Sequence, residues 1–251
     1  MSLLCMNVNV HCSPENSRLG FVSADNPYFF DFSPNFSVIF RIMADVKEVE
    51  REDAGDYVAP DNLANDMLIK HPLHSNWTLW YFEKNNNKTW EENQREITSF
   101  NTVEDFWSLY NHIRLPSQLR VGCDYSLFKK GIMPMWEDSA NRAGGRWLIN
   151  LDRKQRETDL DRFWLEILLC MVGEAFDEHS DDICGAVVNV RAKIDKIAVW
   201  TANGQAANSV VEIGKRLKER LNLDNKCSLG YQMHKDTMVK TGSVTRNQYT
   251  V

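Results

Sequence analysis

Gly185-Ala186-Val187-Val188-Asn189-Val190-Arg191-Ala192-Lys193-Ile194-Asp195-Lys196-Ile197-Ala198-Val199-Trp200-Thr201 reads as a strand, a turn and a returning strand. β-branched residues recur in both arms, as a pleated, half-buried surface favours. The outgoing strand is expected over residues 185–193, with the turn at Ile194-Asp195 and the return over 196–201. Alternation puts Asn189, Arg191 and Lys193 opposite Val188, Val190 and Ala192, and it groups Lys196, Ala198 and Trp200 on one side of the return. One side of the hairpin is therefore apolar, and the other presents cations and an indole. So short a connection makes the pair antiparallel.

Working outward, helical spacing appears on both sides. Gln205 to Leu221 sets Val210, Ile213, Leu217 and Leu221 on one side. Upstream, Thr158 or Asp159 begins what reads as the longest helix, with Leu160, Phe163, Trp164, Ile167, Leu168, Met171 and Val172 in one broad stripe ending near Phe176. Thr102 has the form of an N-cap, followed by Glu104 and Asp105 in the first turn and by Val103, Phe106, Trp107, Tyr110 and Ile113 at helical spacing; Pro116 closes that element. Strand patterns occur at Trp77–Phe82, Cys123–Phe128, Arg146–Ile149 and Cys227–Gln232. Strands outnumber helices and the helices are spread among them. The expected class is α+β: one mostly antiparallel sheet with helices on one face.

Hydrophobic content of 43% and charged content of 25% are ordinary for a soluble globular chain of 251 residues. The net charge of −6 argues at first against a nucleic-acid binder. Its location changes that. Asp45 to Asp66 holds eight acids (Asp45, Glu48, Glu50, Glu52, Asp53, Asp56, Asp61, Asp66) and two bases (Lys47, Arg51), so this stretch alone accounts for −6. A local basic patch suits a ligand with a few phosphates better than a duplex. Six scattered cysteines form no C-x-x-C pair, which argues against a zinc site and for a reducing compartment. Residues 1–66 read as a disordered extension, acidic from residue 45; Tyr28 to Met43 is too interrupted to span a membrane. The folded domain is expected over residues 67–251.

Two Trp-Glu pairs carry the chemistry, Trp90-Glu91 and Trp136-Glu137 within Met135-Trp136-Glu137-Asp138. A base with delocalised positive charge, held between two indoles, gains dispersion and a cation–π attraction of ~2 kcal/mol or more when desolvated. A carboxylate such as Glu137 can accept two parallel bonds from the N1–H and exocyclic amine of guanine; adenine has no matching donor pair. Arg191 can fork onto phosphate oxygens and Lys196 can act as a point charge. A lone Lys/Arg cluster usually marks a solvated hairpin face; Trp200 beside it and the two upstream indoles favour a site. The ligand that fits is 7-methylguanosine triphosphate. There is no G-x-x-x-x-G-K-[ST], G-x-S-x-G or H-E-x-x-H motif, so no enzyme, metal or cofactor is expected.

From about Lys70 to Val251 the chain closely resembles the eukaryotic translation initiation factor 4E family of mRNA cap-binding proteins. The stretches that carry the resemblance are His71-Pro72-Leu73, Lys88-Thr89-Trp90, Thr102 to Leu109, Gly122 to Lys129, Pro134 to Asp138, Gly144 to Ile149, Asp159 to Cys170 and Asp182 to Lys193. Tryptophan at both stacking positions is similar to the main translation-promoting class. The resemblance implies a curved eight-stranded antiparallel sheet backed by three helices on its convex face, with the cap in the concave slot. It implies that Trp90 and Trp136 sandwich the base, Glu137 reads its edge, Trp200 meets the methyl group, and Arg191, Lys196 and Arg146 serve the phosphates. Glu91 stands where many members carry a neutral residue. The convex surface is implied to bind a helical peptide shared by the scaffold factor 4G and competing repressors, through His71, Pro72, Leu73, Val103, Trp107, Leu165, Glu166 and Gly173. Val103, Trp107 and Leu165 read equally well as core. The resemblance also implies a phosphoserine at Ser243, in a flexible basic C-terminal loop.

Three functions follow: a cap-dependent translation activator, a cap-binding repressor, or a non-cap single-stranded RNA module with aromatic platforms. A monomer, cytoplasmic with a nuclear fraction, is expected. Met43 resembles an ordinary initiator.

Overall fold

The computed structural model describes residues 8–11, 20–23, 70–224, 227–238 and 246–251. The chain forms two compact units, residues 1–68 and 69–251. In the first unit, strands β1 (Val8–His11) and β2 (Gly20–Ser23) pair antiparallel. The acidic run expected to be disordered, Met43, and Ser243 with its loop all lie outside the described residues.

The second unit is built on a curved eight-stranded antiparallel sheet in the order β10-β9-β6-β8-β7-β5-β3-β4. The strands are β3 (Pro72–Glu83), β4 (Gln94–Thr102), β5 (Cys123–Lys129), β6 (Gly145–Leu151), β7 (Ile183–Asn189), β8 (Asp195–Thr201), β9 (Gly230–Met233) and β10 (Tyr249–Thr250). The helices are α1 (Trp90–Asn93), α2 (Val103–His112), α3 (Arg153–Thr158), α4 (Leu160–Val172), α5 (Ala207–Arg220) and α6 (His234–Met238).

The register sorts side chains into two faces. Leu79, Leu127, Ala186, Val199, Trp147 and Tyr231 are successive cross-strand partners, so one apolar row runs across six strands. The helices cover this face. Trp164 of α4 is fully buried, as are Leu160 and Ile167. In α2, Phe106 packs on Phe100 of β4 at 5.7 Å. On α5, the Val210 carbonyl accepts a 2.9 Å bond from Trp147 Nε1. A Cβ at Gly214 would meet the Trp147 ring at 2.3 Å, so glycine permits that close approach of helix to sheet.

Several boundaries differ from the sequence reading. The outgoing strand of the hairpin ends at Asn189, not Lys193, because residues 190–194 are drawn into a turn closed by Asp195. The Leu160 stripe stops at Val172, and among the described residues α5 is the longest helix, at 14 residues. The helix α3 precedes the expected start near Thr158, capped by Asp152, which accepts from the amides of Lys154 and Gln155. Strand β4 has weak alternation, and a bulge between the Leu79 and Trp80 pairings interrupts its register. The cap at Thr102 agrees with expectation: its Oγ1 accepts from the Asp105 amide at 3.2 Å.

Candidate functional site

The other face of the sheet carries the polar and aromatic residues singled out above. Three cross-strand rows define it. One runs Phe128, Gly185, Trp200, Arg146, Gln232. The next runs Trp80, Ser126, Val187, Ala198, Leu148. The third runs Phe82, Asp124, Asn189, Lys196, Asn150. At about 3.4 Å per residue the outer rows lie roughly 14 Å apart. Across β5, β7 and β8 the middle row is small, with Ser126, Val187 and Ala198. The face is therefore a shallow floor with an indole and an arginine at one end and a lysine at the other.

The two Trp-Glu pairs are anchored on different residues of this face, Trp90 through Phe82 and Trp136 through the cluster around Phe128 and Trp200. Trp90, 42% exposed, stacks on Phe82 with ring centroids 6.0 Å apart and a 30° interplanar angle. It opens α1, where Thr89 and Glu92 form a capping box. Glu91 beside it is exposed. Trp136 packs against the cluster of Phe128, Cys184, Val187, Ala198 and Trp200. Its loop is pinned from below. Fully buried Asn141 donates to the carbonyls of Met133 at 2.8 Å and Met135 at 2.7 Å, while Asp138 accepts from the amides of Met133 and Ala140. Trp136 Nε1 donates to Glu137 Oε1, which orients an otherwise exposed carboxylate.

The cations are held as well. Both terminal nitrogens of Arg191 donate to Asp124, with the Nη2–Oδ2 bond at 2.9 Å. Burial pushes the Asp124 carboxyl up against the pull of Arg191, and the same contact raises the arginine. Arg146 is half-buried, its Nε has no partner among the described residues, and burial pulls its guanidinium down. Lys196 is exposed.

Trp200 is 5% exposed and lies in the floor rather than on the rim. The Phe128 ring meets it edge-on at 5.4 Å, and the His234 ring lies 4.2 Å from it. His234 is fully buried, and neither ring nitrogen has a partner among the described residues. Burial, with Arg146 adding repulsion, pushes its pKa down to about 3. A histidine held below its unfolded pKa of ~6.5 binds fewer protons folded than unfolded, so stability falls as pH drops through 6.5 towards 3. At pH 5 the expected cost is about 2 kcal/mol. His234→Phe should flatten the fall in midpoint between pH 7 and pH 5 in denaturant titrations; an unchanged fall would assign the acid sensitivity elsewhere.

The predicted partner surface sits on the helix side. His71 donates its amide to Glu104 at 2.9 Å and pairs with it through Nδ1 at 2.7 Å. Its carbonyl receives the Val103 amide at 2.9 Å. Pro72 is exposed and Leu73 half-buried at the start of β3. Val103 is buried, whereas Trp107, Leu165, Glu166 and Gly173 are half-buried. Glu166 pairs with Arg220 at 3.2 Å. The structure thus separates Val103, which is core, from Trp107 and Leu165, which reach the surface. Sequence reasoning missed Asp124, Asn141, Arg156, Asp195 and His234. Only the adjacency of Asp195 to the basic tip could have drawn notice.

The model of the eukaryotic initiation factor 4E family matches residues 72–249. The chain is 60% identical over 186 residues to eukaryotic translation initiation factor 4E of Homo sapiens, spanning 74% of this chain and 86% of the relative. Among solved structures it is similar to Ascaris suum eIF4E-3 with m7G cap, at 43% identity and a TM-score of 0.69, over 73% of this chain and 98% of that one. It is also similar to C. elegans eIF4E-3 with the 4E-binding protein Mextli and cap analog, at 45% identity and a TM-score of 0.67, over 73% and 100% of the two chains.

Proposed function

The chain belongs to the eukaryotic initiation factor 4E family, and we propose that it binds the 7-methylguanosine cap of mRNA and recruits the scaffold initiation factor 4G to start cap-dependent translation. The observation that carries this reading is the floor between Trp200 and Lys196. Its length suits a methylated base at one end and a phosphate chain reaching the other. In this reading Trp136 and Trp90 are the plates over a floor of small side chains. Glu137 reads guanine, with Glu91 at the rim. Arg191, Lys196 and Arg146 meet the phosphates. The protein acts by binding, not as an enzyme, with no metal or cofactor. It works as a cytoplasmic monomer with a nuclear fraction.

The helix side takes a helical peptide of the scaffold or of a competing repressor. Half-buried Trp107 and Leu165 supply apolar contact, and His71, Pro72 and Gly173 frame it. Such helix-in-groove binding reads apolar anchors at helical spacing.

One titration tests both halves. Tryptophan fluorescence should respond to 7-methylguanosine triphosphate far below the concentration at which unmethylated GTP acts. Trp107→Ala should keep that response and lose the scaffold peptide. Equal responses to the two nucleotides would favour the single-stranded RNA module. A cap response without scaffold binding by the native chain would favour the repressor.

A further inference from the structure

The hairpin tip that carries the phosphate-binding cations is tied down by a pair of residues that do not reach the binding floor. Asp195 begins β8 and is 1% exposed, on the helix side of the strand whose other side bears Lys196. Its carboxylate accepts the Arg191 amide at 2.7 Å. It also accepts a fork from Arg156, with Nε at 2.5 Å and Nη2 at 2.6 Å. Arg156 Nη2 donates again, to the Arg191 carbonyl. The backbone of Arg191 is thus held at both its N–H and its C=O, while its side chain is held by Asp124. Arg156 itself rides on α3, fixed by the capping box of Asp152 and Gln155.

Turns bearing like charges tend to splay, because Arg191, Lys193 and Lys196 repel one another and each gains hydration by moving apart. Two charge-assisted bonds in fork geometry oppose that motion. We propose that Arg156 and Asp195 are positioning residues for phosphate recognition: they hold the tip closed so that Arg191 and Lys196 meet a phosphate chain without reordering. This rests on the cap-binding reading above, and its predicted signature is specific. Loss of the pair should weaken contacts to phosphates and spare contacts to the base.

The experiment measures affinity for 7-methylguanosine and its mono-, di- and triphosphate in the native chain, Arg156→Ala and Asp195→Asn. In the native chain, affinity should rise with each phosphate. In both variants that rise should shrink, leaving triphosphate binding about tenfold weaker and nucleoside binding within about twofold. Arg156→Lys keeps the charge but not the fork, and it should show the same pattern even if Arg156→Ala fails to fold. Unchanged triphosphate affinity in a folded variant would overturn the proposal. So would an equal proportional loss across the whole series, which would mark general damage. A native chain whose affinity does not rise with phosphate number would overturn the cap reading itself, a result separate from any variant.

Discussion

Trp90→Ala is expected to abolish retention on a 7-methylguanosine resin and leave the thermal midpoint nearly unchanged. The indole is 42% exposed and, among the described residues, its one ring contact is Phe82 at 6.0 Å, so little folding energy rides on it. A cationic base loses one stacking partner and its cation–π attraction, together about 3 kcal/mol. That is more than a hundredfold in affinity. Trp136→Ala should also lose retention, but its interpretation differs. Trp136 packs on the Phe128 and Trp200 cluster and orients Glu137, so truncation also loosens the floor and releases the carboxylate. Trp136→Phe separates these effects: it restores a plate and the packing without the Nε1 donor. Retention of Trp90→Ala at the native level would remove Trp90 from the slot.

The contrast between the two tryptophans shows where the sequence is legible. The alternation in 185–201 identifies a hairpin because both faces of β7 and β8 have a definite character, apolar under the helices and mixed over the floor. Strand β4 has no such contrast. It lies at the sheet edge, most of its residues are exposed or half-exposed, and its bulge breaks the two-residue period. The order of eight strands is not local information at all. The sequence reading contains no strand order, and the count of eight entered it only through the family resemblance. The stacking and charged residues could be named because their chemistry is unusual for a surface. Their supports could not. Asn141, Asp124 and Asp195 are ordinary polar residues until folding buries them next to backbone carbonyls, backbone amides and guanidinium groups separated by up to 67 positions in sequence. Trp200 shows the same limit: its place in the site is legible from sequence, but the His234 ring that lies against it comes from over 30 positions downstream.

The Glu137 carboxylate should contribute the second large effect, and the structure makes it separable from the indoles. Glu137→Ala is expected to weaken cap binding by ~2–4 kcal/mol, since a charge-assisted pair is lost and the base donors go unpaired in a desolvated slot. The Trp136 Nε1 bond occupies one lone pair of Oε1 and fixes the plane of the carboxylate. Glu137→Gln can keep that bond through its amide oxygen. What it cannot keep is a second acceptor, because an NH2 group now faces a base donor. The Gln variant should therefore hold Trp136 in place and still bind poorly. A double comparison makes this quantitative. In the native chain, replacing 7-methylguanosine triphosphate by the 7-methylinosine analogue removes the exocyclic amine and should cost one hydrogen bond of about 1.5–3 kcal/mol. In Glu137→Gln the same change of ligand should cost much less, because the partner of that amine is already gone. The coupling between protein and ligand changes measures the contact directly. Losses that add with no coupling would show that Glu137 acts on Trp136 or on the loop rather than on the guanine edge.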